Sequence, residues 1–159
     1  MKRLAIAVTV LAIGAAGCGS KSPAAPSTTT IFTVQLSALN EVPAVSNAES
    51  TARGTAVITI DSAKNTIDFN VSLNSFPAGS VVNSAHIHPA PAGTNGGVLV
   101  STGLAAGSVT LPTGTGTFSL LQVTTSAANI AAILANPAGH YFNVHTALNG
   151  GGAIRGQLQ

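Results

Sequence analysis

A period of two dominates the chain from Ile31 onward and limits what it can fold into. In Phe32-Thr33-Val34-Gln35-Leu36-Ser37-Ala38 apolar and polar side chains alternate, which gives an extended backbone one buried face and one wet face. Ala56, Ile58 and Ile60 follow with Thr55 and Thr59 between or beside them. The turn-forming run Asp61-Ser62-Ala63-Lys64-Asn65 then leads to Ile67, Phe69, Val71 and Leu73, alternating with Asp68, Asn70, Ser72 and Asn74. Two alternating runs joined by turn chemistry predict a hairpin. Residues 81–88, 98–101, 115–123, 141–146 and 153–158 are further strand candidates between Gly, Asn and Pro clusters. One segment departs from the pattern. Ile130, Ile133 and Leu134 fall at helical spacing, with Thr125 or Ser126 to cap the start and Asn136-Pro137 to end it. The expected class is all-β: an antiparallel β-sandwich or flattened Greek-key barrel of seven or eight strands with one short helix.

What precedes this pattern has a different character. Lys2 and Arg3 lead into the apolar stretch Leu4 to Ile13, which is too short to span a bilayer and is followed by small residues. The ending Ala15-Ala16-Gly17-Cys18 resembles the lipobox of bacterial lipoproteins, with Ala15 where that pattern usually has Leu. The resemblance implies a signal peptide over 1–17 and lipidation of Cys18, the chain's single cysteine. Residues 19–30 hold no large apolar side chain and read as a tether. The expected division is therefore a leader over 1–17, lipidated Cys18 with its tether over 18–30, and one domain over 31–159. Gly19 and Ser20 lack the Asp of an inner-membrane retention signal. The expected location is the bacterial cell envelope, lipid-anchored, with the outer membrane favoured.

Charge narrows the partners. Only 6% of residues are charged. Beyond Cys18, Lys21, Arg53, Lys64 and Arg155 face Glu41, Glu49, Asp61 and Asp68, leaving the mature chain nearly neutral. A nucleic-acid binder needs clustered Lys and Arg to displace counterions from phosphate, so nucleic acid is excluded as a partner. Phosphate-loop, nucleophile-elbow and zinc-protease signatures are absent, and no catalytic residues are assigned.

Histidine is what remains. In an extended 82–88 segment, His86 and His88 project from one face with α-carbons roughly 6.5 to 7 Å apart. In Tyr141-Phe142-Asn143-Val144-His145, the residues Tyr141, Asn143 and His145 share a face opposite Phe142 and Val144. His145 is the natural third ligand to an ion, whereas His140 has the opposite parity and would join only through a bulge. Three imidazoles without carboxylate or thiolate suit one copper or zinc ion. The same histidines could equally hydrogen-bond across strands or to the loop Gly93-Thr94-Asn95-Gly96-Gly97. Asn143 could orient a ligand by hydrogen bonding. By parity Arg155 accompanies Ala153 and Gln157, bonding loop carbonyls or pairing with Glu41, or else guiding an anion to the histidines. Glu41 in turn reads as an ion-pair anchor for the Asn40–Pro43 turn or as an acid at a site.

Taken together, Asn40-Glu41-Val42-Pro43, Ala85-His86-Ile87-His88, Gly93-Thr94-Asn95-Gly96-Gly97-Val98, Tyr141 to Thr146 and Gly152-Ala153-Ile154-Arg155-Gly156-Gln157-Leu158 resemble the CHRD domain. That domain is named for repeats in chordin and also occurs in bacterial secreted proteins and lipoproteins. The resemblance runs from about Ile31 to Gln159. The chain departs from it at Gly97, where Pro is frequent, and at Asn149-Gly150-Gly151-Gly152-Ala153, which lacks a frequent Glu. A fainter similarity is to copper-zinc superoxide dismutases, through the His-x-His strand, the late Val-His strand and the closing Gly-rich strand with Arg. The disulfide, zinc-site Asp and loop histidines of those enzymes have no counterpart. The expected function is an envelope binding or scaffold module without assigned catalysis, presenting loops to a protein or glycan partner. The alternative is a mononuclear copper or zinc protein using His86, His88 and His145.

Overall fold

Alternation becomes one curled antiparallel sheet of nine strands. The structure, a computed structural model, describes residues 28–159; the leader, Cys18 and most of the tether lie outside the described residues. In chain order the strands are β1 (Thr29–Ser37), β2 (Arg53–Asp61), β3 (Thr66–Asn74), β4 (Ser80–Pro89), β5 (Val100–Ser101), β6 (Val109–Leu111), β7 (Gly116–Thr124), β8 (His140–Thr146) and β9 (Ile154–Gln157). The helix α1 (Ala127–Ala135) joins β7 to β8. Across the sheet the order is β5-β4-β8-β9-β1-β2-β3-β7, with β6 paired to β4.

The expected hairpin is β2–β3, in register from Arg53↔Asn74 to Asp61↔Thr66. Its turn closes because Asp61 Oδ1 accepts the backbone N–H groups of Ala63 and Lys64, while Asn65 takes the left-handed conformation that Asn tolerates. Ser126 caps α1 by accepting the Asn129 N–H at 3.1 Å. Ile130 and Ile133 are the buried residues of its inner face. Two details differ from the sequence reading. The 98–101 segment pairs only at Val100 and Ser101, because Val98 is solvent-exposed. The short β6 was not expected, since three residues among Gly and Pro turns give no measurable alternation.

The sheet closes on itself through its apolar face. Phe69 of β3 stacks on Phe142 of β8, ring centroids 5.4 Å apart, although the two strands are not neighbours in the sheet. Ile58, Ile60, Ile67, Val82, Ile87, Val144 and Ile154 join the same core. β8 is exceptional: all seven of its residues are buried. Phe142 and Val144 face the core, while the opposite face lies beneath two loops, residues 38–52 and 90–99.

Those loops are tied to the sheet and to each other by hydrogen bonds. Asn95 Nδ2 donates to the Val42 carbonyl at 2.8 Å, and Asn40 Nδ2 donates to the Arg155 carbonyl at 3.0 Å. At the far end, the Glu49 carboxylate accepts from Thr146 Oγ1 and Asn149 Nδ2, both at 2.6 Å. Glu49 thereby fastens the first loop to the turn between β8 and β9. Two stability effects are expected. Phe142→Ala should cost about 3–5 kcal/mol, because it empties the contact that joins the two layers. Glu49→Ala should cost about 2–3 kcal/mol, because it strands the buried Thr146 hydroxyl. Urea unfolding checks both, and a loss below about 1 kcal/mol in either would contradict this account of the packing.

Candidate metal centre

Register decides which polar side chains meet. β4 and β8 pair with His86 opposite Asn143 and Ser84 opposite His145, and β8 and β9 pair with Asn143 opposite Arg155. The covered face thus carries a continuous polar patch: His86 and His88 on β4, Tyr141, Asn143 and His145 on β8, Arg155 and Gln157 on β9. Facing side chains on neighbouring strands lie about 4.5–5.5 Å apart at Cβ, close enough for imidazoles to share one point.

His86, His88 and His145 do converge. One candidate donor nitrogen from each ring lies within 4.8 Å of the others. The ring centroids of His86 and His145 are 4.9 Å apart, and those of His86 and His88 are 5.6 Å apart. Around a tetrahedral ion with metal–nitrogen bonds near 2.0–2.1 Å, donors sit about 3.4 Å from one another. The widest pair therefore has to close by roughly 1.4 Å, within the reach of small side-chain rotations.

Backbone carbonyls fix two of the three tautomers. His88 Nδ1 is 3.0 Å from both the Gly96 and Gly97 carbonyl oxygens, and His145 Nδ1 is 3.0 Å from that of Gly150. A carbonyl can only accept, so each Nδ1 carries the proton and donates it. The lone pair is left on Nε2. His88 Nε2 is buried without a hydrogen-bond partner. His145 Nε2 meets His86 Nδ1 at 3.1 Å, so in the metal-free protein His86 donates to His145. A shift of His86 to its other neutral tautomer frees Nδ1. Each of the three rings then has a ring nitrogen free to accept, within 4.8 Å of a candidate nitrogen on each of the others.

The environment favours the neutral form of His86 and His145. Burial, followed by the neighbouring His145 and His88, pushes His86 down to about 4. His145 is lowered by burial and by His88, although its bond to Gly150 works the other way. A neutral imidazole is the ligating form, so the face opposes protons and leaves its lone pairs available.

The surrounding groups order the ligands. Tyr141 stacks on His88, centroids 4.8 Å apart and planes 7° from parallel, and its hydroxyl accepts the Gly96 N–H. The Arg155 guanidinium sits 4.6 Å from the Tyr141 ring centroid, a cation–π contact. Arg155 is 2% exposed; its Nε donates to the Asn40 carbonyl at 2.6 Å and its Nη1 to Asn95 Oδ1 at 2.7 Å. It bonds loop groups as expected and makes no ion pair with Glu41; among the described residues the one side-chain ion pair is Lys64–Asp61. Burial outweighs the attraction of Arg155 and the hydrogen bond from Asn143, and raises Glu41 to about 7. Gly152 makes room for this arrangement. It takes a positive φ, and a Cβ there would lie 2.6 Å from both Asn143 Nδ2 and Glu41 Oε2.

His140 stays apart. It opens β8 on the other parity, buried, with Nδ1 2.9 Å from the Asn136 carbonyl at the end of α1. Sequence reasoning missed Glu49 and the Gly150 carbonyl. Glu49 holds Asn149, which precedes the residue that fixes His145, so the carboxylate secures a ligand it never touches. The available signal was scarcity, since an acid retained in a chain with four of them had to be bonded somewhere. Cys18 lies outside the described residues.

Likeness to known proteins adds the domain's identity. No curated protein and no solved structure matches the chain, so the similarity to copper-zinc superoxide dismutases rests on shared motifs alone. The CHRD domain matches residues 32–158, which takes in every strand described above except the first residues of β1. The chain belongs to the CHRD domain family and is built as a β-fold domain of the binding or scaffold kind.

Proposed function

We propose that this protein is a lipid-anchored module of the bacterial cell envelope that holds one transition-metal ion, copper or zinc, on His86, His88 and His145. The observation that carries the reading is the pair of carbonyl-fixed tautomers. A polar patch serving only to satisfy itself would have no need to leave His88 Nε2 buried and unbonded beside two other imidazoles. Three nitrogen donors without a carboxylate or thiolate match the preference of copper and zinc. No helix among the described residues is long and apolar enough to cross a membrane, and attachment would fall to a lipid on Cys18. Residues 19–27 would then let the domain stand off the bilayer.

His86 is the least covered of the three rings, which gives an ion one open side. The module would take up and hold metal from that side. The second reading, a scaffold that presents loops to an envelope protein or glycan, is favoured by the cleft of about 600 Å³ between the two loops, lined by Thr33, Gln35, Asn40, Gln157 and Gln159. Both readings fit one molecule, since cleft and histidines lie on opposite sides of Tyr141 and Arg155.

Isothermal titration of the full chain with copper(II), in a Cys18→Ser background so that the thiol does not compete, should show one site per molecule. His86→Ala and His145→Ala should each weaken it by at least about 100-fold, because two imidazoles remain where three acted together. Equal binding in wild type and both variants would remove the metal reading.

The metal-free protein should also show opposed titrations. His86 and His145 have folded pKa values below their ordinary 6.5, so the stability they contribute is complete above pH 6.5 and falls away as the pH drops, for His86 toward about 4. Glu41, raised to about 7 from 4.5, contributes stability that is complete below pH 4.5 and is lost as the pH rises through 7. Between pH 4.5 and 6.5 the two slopes oppose each other. Glu41→Gln should therefore gain stability more steeply with rising pH than the wild type over that window. Urea midpoints measured across it check this, and parallel profiles would count against the assignment.

A further inference from the structure

Three hydrogen-bond acceptors and one donor on the covered face are buried without partners: Glu41 Oε1, His88 Nε2, Asn143 Oδ1 and Arg155 Nη2. Orphaned acceptors in this number are rare, and each costs about 1–3 kcal/mol unless something electropositive satisfies it. An ion on the three imidazoles accounts for His88. It leaves the Asn143 oxygen unexplained.

We propose that the side-chain oxygen of Asn143 is the fourth donor to the ion held by His86, His88 and His145, and that Glu41 is the positioning residue that aims it. The inference rests on the metal reading above and completes its coordination. Asn143 lies directly across from His86 in the β4–β8 register and two residues before His145 on the same face. It is 2% exposed, and its Oδ1 is buried without a partner in the protein.

The amide's orientation follows from what lies on either side of it. The Asn143 amide lies near enough to the Glu41 carboxyl to act on its protonation, and of its two ends only the nitrogen can donate. Glu41 Oε2 and Asn143 Nδ2 both border the position of Gly152, in the turn that leads into β9, and Glu41 lies in the field of Arg155 on that strand. The nitrogen therefore points toward β9. Oδ1, the other prong of the same planar fork, is turned toward β4, where His86 stands. In its ionised form the Glu41 carboxylate accepts and cannot donate, which favours the amide nitrogen on its side. Gly152 keeps the contact possible, because any side chain there would push Glu41 and Asn143 apart.

The set becomes three nitrogens and one neutral oxygen. Four protein donors make a closed tetrahedral site, suited to keeping an ion, whereas three leave a position for water. Copper(II) binding to the full chain in the Cys18→Ser background tests this, with Asn143→Ala, Asn143→Asp, Glu41→Ala and Glu41→Gln compared by titration and electron paramagnetic resonance. Asn143→Ala should bind about 10- to 100-fold more weakly and keep three imidazole nitrogens in its spectrum. In isotopically labelled water it should acquire a broadening from bound solvent that the wild type lacks. Asn143→Asp should recover or exceed wild-type affinity, since a carboxylate oxygen replaces the amide oxygen. Glu41→Gln, whose carbonyl can still accept the Asn143 N–H, should stay within about threefold of wild type while Glu41→Ala falls with Asn143→Ala. A wild type that binds one ion, with unchanged affinity and spectrum in Asn143→Ala, overturns the fourth donor and leaves the three-histidine reading standing. A wild type that binds none overturns both.

Discussion

Burying β8 on both faces forces the rest of the covered side to be built as it is. A strand that fills the core with Phe142 and Val144 and lies under loops on its other face has no water for Tyr141, Asn143 or His145. Every polar atom there must find a partner in the protein or carry the cost of having none. The loops supply most of these partners through main-chain carbonyls, at Gly96, Gly97 and Gly150 for the imidazoles and at Asn40 for Arg155. Loop carbonyls serve because they accept without bringing a charge. Glycine-rich segments allow the backbone to come that close to a ring.

Much of this arrangement was legible in the chain. Strict alternation located β1, the β2–β3 hairpin and the apolar face of β8, because period two survives wherever one side of a strand is wet or differs chemically from the other. Parity alone put His86, His88 and His145 on one face and set His140 aside. It also put Arg155 on the covered side of β9. What parity could not supply was register: nothing local states that His86 faces Asn143 or that Phe69 stacks on Phe142 across the curl. The loops were opaque for a related reason. Glu49 acts through Asn149 on a turn about 100 residues away in sequence, and no local pattern encodes such a bond.

Electrostatics follows from the same burial. Of the four acidic side chains in the whole chain, two belong to the first loop, Glu41 and Glu49, and the pair are held differently. Glu49 accepts two short hydrogen bonds from Thr146 and Asn149. Glu41 keeps Oε1 buried without a partner, and burial prevails over the pull of Arg155. Arg155 is itself held by two neutral oxygens and an aromatic face, so its charge is spread among groups that need not be charged in return. The arginine can thus be fully buried without a salt bridge, an arrangement that avoids desolvating a second ion.

The stack Arg155–Tyr141–His88 links this charge to the candidate centre. A guanidinium on one face of the Tyr141 ring and an imidazole on the other leave the three planar groups little freedom to rotate independently. Any change that releases Arg155 from Asn40 or Asn95 would therefore loosen His88 through the ring between them. Asn40 and Asn95 belong to the two loops that also wall the cleft, and Asn95 is tied to Val42 across it. A ligand seated between the loops would press on the same side chains that hold the arginine. The cleft and the imidazoles are thus connected by one unbroken series of contacts, from the loops through Arg155 and Tyr141 to His88.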